Sequence, residues 1–539
     1  MKSGRRNEER QEKLLLHSGK IRTFDPSHPM AEALVIDNGK IRWIGKNEDI
    51  IGIPTDEYRL INLGGRTVIP SFGDAHVHFA FFAQSLSNLN LDGCKSYGEA
   101  LKRVEAYASK LKKGEWLLGK GWRKDDWPDS RWPHKANLDK IAPDNPAALY
   151  SHDEHVLWTN SLGLKIGGVD RNTADPVGGE IDRDSSGNPT GILRENACDY
   201  VYRHHKKPSK SKVLRLIDEA QRYCHSKGVT ALGNFDGIDN FEMLQEYHNK
   251  YGLKLRIRQY IPIRFIDHLV ALRLKSGFGD DYLRIAGVKI FADGALGSQT
   301  ALMLRPYSGS KSNIGVEVTP EKVMADLIKK AASNGLACAV HAIGDRANRQ
   351  VLNAYEKLPA KHRKLRNRIE HVQIINPADI PRLSKLSIIA SVQPIHCISD
   401  VRLMEKFLGK RSSHSYSFKS FIDSGAHVAF GSDAPIETLD PLLGSYCATT
   451  RTTLDGKVRH RTGQAISTET ALRGFSCDIA YALADENLFG TISLGKSADI
   501  VIMEEDPIEC DPVSLKDIEI SATFFEGECV FGEDDVETW

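Results

Sequence analysis

The nine cysteines include no C-x-x-C pair, and their odd number leaves no complete set of partners. A disulfide scaffold is therefore excluded, and reduced thiols in a cytoplasmic protein are the expectation. No run of 18 consecutive apolar residues occurs, which rules out a helix that spans a bilayer. The N-terminus mixes Arg5, Arg6 and Arg10 with Glu8, Glu9 and Glu12, and its only apolar run is Leu14 to Leu16, so no secretory signal is expected. An excess of one charge is lacking too: 72 Lys+Arg against 71 Asp+Glu leaves a formal +1. Without a global field to steer phosphate backbones or anionic lipid, nucleic acid and membrane drop out as partners. A small-molecule substrate remains, and a homo-oligomer stays open. What is present is ordinary for a folded chain: 539 residues, 41% hydrophobic and 27% charged, long enough to bury an enclosed site.

Both chain ends read as short β-strands. Ala33 to Ile41 alternates around an Asn38-Gly39 hairpin signal, and near the other end Ala498 to Met503, Ala522 to Phe525 and Cys529 to Phe531 are short strands between Gly, Pro and acidic residues. Residues 1–66 and 485–539 are expected to form one composite β-sandwich, which requires the middle of the chain to return its ends to one place. A closed barrel does this. Residues 67–484 supply eight apolar runs separated by helical patterns: 68–70, 229–232, 255–257, 286–290, 337–340, 368–370, 388–392 and 428–430. The fold class expected is α/β, a (β/α)8 TIM barrel with the small terminal sandwich. One gap breaks the rhythm after the first strand. An insertion of about 95–212 holds Trp116, Trp122, Trp127, Trp132 and Trp158, as the subdomain's own core, a wall for substrate, or both.

Barrel enzymes carry reactive side chains at the carboxyl ends of their strands. Here His76 and His78 lie two apart in extended chain and face the same way. His341, His371 and Asp433 stand at three further strand ends, and imidazole with carboxylate is a ligand set suited to zinc and its neighbours. Taken singly, His341 or His371 reads as a core histidine and Asp433 as a helix cap; the constellation outweighs those readings. Lys289 lies between Val288 and Ile290, in a run apolar enough to be buried, where a lysine must be paired, neutral or chemically changed.

These residues, with Val68-Ile69-Pro70 leading into Phe72-Gly73-Asp74-Ala75-His76-Val77-His78, resemble the amidohydrolase superfamily. Gly121-Trp122, the run from Val288 to Gly294, the run from His341 to Ala347 and the run from Ser432 to Pro435 make the chain similar to its family 3 branch, which includes N-substituted formamide deformylase-like hydrolases. The resemblance implies two divalent metal ions, with zinc expected. His76, His78 and Asp433 would hold one, His341 and His371 the other, and Lys289, carboxylated by carbon dioxide, would bridge them. An unmodified, ion-paired Lys289 stays open. The implied reaction is hydrolysis of amide-type C–N bonds by metal-generated hydroxide, N-acyl or N-formyl amines favoured, with Asp433 as ligand and proton shuttle. Trp122, His155, Gln393 and His396 are the substrate-contact candidates. Departures occur at Gln299, where relatives often carry Arg, and in Asp153-Glu154-His155, which has a carboxylate where relatives usually have Gly. The competing readings are ester or lactone hydrolysis at the same metals, a one-metal deaminase, and a non-catalytic ligand-binding descendant.

Overall fold

The structure is a computed structural model that describes residues 12–124, 127–128, 130–152, 156–176, 179–205, 208–533 and 536. The chain forms two compact units, Met1–Phe82 with Ile217–Trp539, and Ala83–Leu216.

In the first unit eight strands run parallel in sequential order: Phe72–Val77, Val229–Asn234, Arg256–Pro262, Leu283–Phe291, Ala337–Ala342, Arg368–His371, Ile389–Val392 and Val428–Phe430. Their residues are almost all buried, as expected of strands covered on both faces. The sheet closes on itself beyond the eighth strand, where the Asp433 amide donates to the His76 carbonyl at 2.7 Å and the His78 amide to the Ala434 carbonyl at 2.8 Å. Helices follow the strands in the manner of Glu321–Ser333, which buries Met324, Ile328, Ala331 and Ala332 on one stripe. This is an α/β TIM barrel.

The first barrel strand is not the run 68–70. Thr67–Pro70 pairs instead with Ile500–Met503 and Lys20–Arg22 in a six-stranded sheet, and the chain enters the barrel at Phe72. Pro70 has no amide to donate, and the next two amides go to different sheets: Ser71 to the Asp499 carbonyl and Phe72 to the Gly228 carbonyl, both at 2.9 Å. A four-stranded sheet of Lys40–Gly45, Ala33–Asp37, Leu14–His17 and Arg59–Asn62 shares an apolar core with the six-stranded one, including Leu16, Leu34, Val68, Ile502 and Phe524.

The second unit is built on a six-stranded sheet, in the order Gly179–Arg183, Pro189–Glu195, Val156–Thr159, Ala147–Ser151, Leu117–Trp122, Leu89–Asn90. Alternate residues feed two separate cores, so Leu149 and Trp158 pack in one with Trp122 and Trp127, while Ala148 and Leu157 pack in the other. No helix among the described residues is long and apolar enough to cross a membrane.

Candidate metal centre

The period of the strand delivers Asp74, His76 and His78 to the same side of the first barrel strand. Asp74 Oδ1 accepts the His76 amide at 2.9 Å and the Ser432 amide at 3.0 Å, tying the ends of the first and eighth strands together. That join requires a glycine at position 431, because a Cβ there would stand 2.7 Å from both Asp74 Oδ1 and the His76 amide nitrogen. Beyond Gly431 the backbone of Asp433 takes a left-handed φ of 62°; His371 and Val372, at the end of the sixth strand, have φ of 74° and 40°. For a β-branched residue such as Val372 this is a genuine outlier, and conformations of this kind cost roughly 1–3 kcal/mol each and cluster at functional sites.

These turns bring His76, His371 and Asp433 together, with one ligand-type atom from each lying within 4.8 Å of the others. Asp433 Oδ1 stands 3.5 Å from Nε2 of both His76 and His78. Lys289 Nζ lies 3.5 Å from His76 Nε2 and 4.1 Å from the centre of the Phe235 ring. The His341 ring packs on His371 with centroids 4.6 Å apart, but its Nε2 is 3.1 Å from the Gly294 carbonyl. In that pose Nδ1 is the nitrogen of His341 left for a cation.

The donor set fits a divalent ion of the zinc type, and the ring tautomers are prepared for it. His76 donates Nδ1–H to Glu370 at 2.7 Å, which turns its Nε2 lone pair inward, and His371 donates Nδ1–H to Gln393 Oε1 at 2.8 Å with the same result. Burial, then the cationic Lys289, pushes His76 down to about 4 and His341 to about 3; burial and His341 hold His371 well below its ordinary range. The imidazoles are thus neutral and able to ligate. Asp433, although burial opposes its charge, is held well below the usual carboxylate range by His76 and His78. Burial lowers Lys289 to about 8 against the pull of Glu370, so a neutral amine is within reach near neutral pH.

Glu370 and Arg368 carry no role in the sequence reading, yet they form the support beneath His76. Arg368 Nε donates to Glu370 Oε1, and Arg368 Nη2 reaches Glu370 Oε2 at 3.0 Å and Ser391 Oγ at 2.8 Å, all of it buried. Burial opposes the Glu370 charge, but Arg368 and then His76 keep it ionised. The signal was there: Arg368 and Glu370 are two apart in one short strand, so two opposite charges face one way inside a barrel. Asp293, also unassigned from sequence, accepts amides of Leu302, Ile343 and Gly344 and shapes the loop against His341; burial lifts its carboxyl to about 7.

The substrate-contact candidates fall in different places. Gln393 is buried against His371, and its Nε2 finds no partner among the described residues; the half-buried His396 likewise keeps an unpartnered, buried Nε2. Trp122 belongs to the second unit, where it is buried against Trp127 and donates Nε1–H to the Leu149 carbonyl at 2.8 Å. His155 lies outside the described residues.

Comparison with known proteins agrees with this geometry. Residues 59–531 match the model of the amidohydrolase family, family 3. The chain is 35% identical over 512 residues to Protein LONG AFTER FAR-RED 3 of Arabidopsis thaliana, covering 91% of this chain and 87% of that one. It is 26% identical over 540 residues to N-substituted formamide deformylase of Arthrobacter pascens, covering 95% and 97%. A solved structure, an uncharacterized metal-dependent hydrolase from Pyrococcus furiosus, superposes with a TM-score of 0.75 at 29% identity, covering 92% of this chain and 100% of that one. With neutral imidazoles and an ionised aspartate gathered at the strand ends of its barrel, the chain belongs to the amidohydrolase family, in the family 3 branch, and is a metal-dependent hydrolase.

Proposed function

We propose that the protein hydrolyses amide-type C–N bonds of small N-acyl or N-formyl amines, using two divalent ions, with zinc as the natural occupant. The observation that carries this reading is the ionised Asp433 carboxylate set 3.5 Å from two imidazole nitrogens and adjoining Lys289 through His76. His76, His78, His371 and Asp433, with His341 through Nδ1, would hold the ions. When bound, such cations polarise a carbonyl and bring the pKa of water towards neutrality.

The chain's own groups do the rest. Lys289, partly neutral through burial, can add carbon dioxide at Nζ, releasing one proton and replacing a poor ligand with two carboxylate oxygens. Asp433 accepts a proton from the attacking water and returns it to the departing nitrogen, which is a poor leaving group as an anion; proton transfer of this kind is typically worth roughly 10²–10⁴-fold. Likeness to a formamide deformylase over 95% of the chain supports the choice of an amide over an ester.

The test is metal analysis of the purified protein together with turnover on matched N-formyl amines, N-acyl amines and the corresponding esters, with and without bicarbonate. Amide turnover with about two ions per chain is expected. Esters cleaved while every matched amide is spared, or full metal occupancy with no turnover at all, would overturn the reading. Lys289→Ala should lose both metal and rate; a variant that keeps wild-type values of both removes the carbamate.

A further inference from the structure

Four arginines among the described residues are fully buried: Arg256, Arg258, Arg368 and Arg451. Three of them meet carboxylates, Arg256 with Asp499 at 2.9 Å, Arg258 with Asp485 and Arg368 with Glu370. Arg451 does not. It ends the helix Pro441–Thr450 with a left-handed φ of 55°, its Nε donates to the His460 carbonyl at 3.1 Å, and its guanidinium carbon stands 5.0 Å from the centre of the Phe418 ring. Nη1 and Nη2 are buried with no partner among the described residues.

One neighbour adds a second positive charge. Arg461 is close enough that burial and then Arg451 bring it down to about 10, and it donates only to neutral oxygens, the Ser415 carbonyl and Ser417 Oγ. His460, joined to Arg451 by a 2.8 Å hydrogen bond from its amide to the Arg451 carbonyl, has a buried Nε2 that also lacks a partner. No carboxylate among the described residues forms an ion pair with Arg451: Asp400 Oδ2 accepts from Gln373 at 2.8 Å and Tyr416 at 2.7 Å, and Asp440 pairs with Lys227 at 2.7 Å. Removing a guanidinium from water without a counter-charge costs several kcal/mol, and a neutral water would satisfy the donors without cancelling the charge.

We propose that Arg451 forms one wall of an internal anion site, bound through Nη1 and Nη2, that takes a monovalent inorganic anion of halide size, chloride in ordinary salt. Complete burial of Arg451 favours a small ion over an organic acid, which sets the size class. The site lies close to the reaction centre along the chain: Phe418, which carries the Arg451 guanidinium on its face, also packs 5.7 Å from Phe430, the last residue of the eighth strand and three before Asp433. Anion binding therefore stabilises the segment that presents Asp433.

Thermal unfolding of the full-length, metal-loaded protein at constant ionic strength, with gluconate replaced stepwise by chloride or bromide, tests this. A Tm increase of roughly 1–3 °C per tenfold rise in halide is expected above the dissociation constant, and Arg451→Met should abolish it. The variant also controls for halide acting at the metals. Crystals of the wild type soaked in bromide should show an anomalous peak in contact with Nη1 and Nη2. Equal Tm in gluconate and halide, or water at that position in bromide-soaked crystals, would sink the proposal. The soak decides the matter on its own if Arg451→Met does not fold.

Discussion

At the scale of single residues, the metal centre depends on groups that never touch a cation. Glu370 fixes the tautomer of His76, and Arg368 keeps Glu370 charged. Glu370→Gln preserves the shape of the side chain but removes its charge and leaves the buried Arg368 uncompensated. Metal content is expected to drop and turnover to fall by about 10–100-fold, in line with other losses of a ligand's hydrogen-bond partner. Elemental analysis beside kinetics checks this; unchanged metal binding in the variant would mean that packing alone orients His76. His371 and Gln393 form the parallel arrangement on the sixth and seventh strands. There the anchor is a neutral amide, so its loss leaves no uncompensated charge and should be the milder of the two.

At the scale of elements, ion pairs join the barrel to strands contributed by the C-terminal part of the chain. Arg256, at the start of the third barrel strand, reaches Asp499 Oδ2 at 2.9 Å and Ser497 Oγ at 2.8 Å; both charged partners are wholly buried. Replacing one member of such a pair costs about 3–5 kcal/mol when the other is left without a counter-charge; Arg256 keeps Glu526 at 3.1 Å, so the loss of Asp499 falls below that range. Asp499→Ala is thus expected to lower Tm markedly in urea or heat denaturation, with little dependence on salt because screening does not reach the interior. A loss confined to low ionic strength would instead place the pair at the surface. Exposed pairs such as Lys419 with Asp423 should contribute about 0.3–0.5 kcal/mol at most.

At the scale of the whole molecule, buried neutral histidines make stability depend on pH. His225 is a case remote from the metal residues in its hydrogen bonding: its Nε2 donates to the Lys254 carbonyl at 2.8 Å, and burial lowers it from 6.5 to about 4 even though that carbonyl pulls the other way. The unfolded chain binds more protons than the folded one between those values, so this contribution is complete above pH 6.5 and is lost as pH falls towards 4. It amounts to roughly 3 kcal/mol at full extent. In urea titrations across pH 4–7, His225→Gln should flatten the acid limb by about one proton; an identical slope would assign the acid sensitivity to other groups. Metal removal acts on the same scale. If the proposed centre holds cations, they bind the folded chain and not its dispersed unfolded ligands, so a chelator should lower Tm, and added zinc with bicarbonate should restore it. A Tm indifferent to chelation would show that the centre contributes nothing to stability.

Much of this was legible in the residues themselves. Alternation by two placed His76 beside His78, and a series of apolar runs, several with ligand-type residues at their ends, specified a parallel barrel and located seven of its eight strands, because both signals depend only on local chain geometry. Other features exist only once distant segments meet. Thr67–Pro70 reads as a barrel strand until its partners, Lys20–Arg22 and Ile500–Met503, are known, since pairing is a property of two segments and not of one. Lys289 announced its burial through its apolar neighbours, but the lowering of its pKa to about 8 needed the enclosed site itself. Glu370 was legible as far as its pairing with Arg368, two residues away, but its hold on His76 and the isolation of Arg451 were decided by tertiary structure, for a physical reason: a charge acquires its meaning from the groups, or the lack of them, within a few ångströms, and His76 lies 294 residues from Glu370 along the chain.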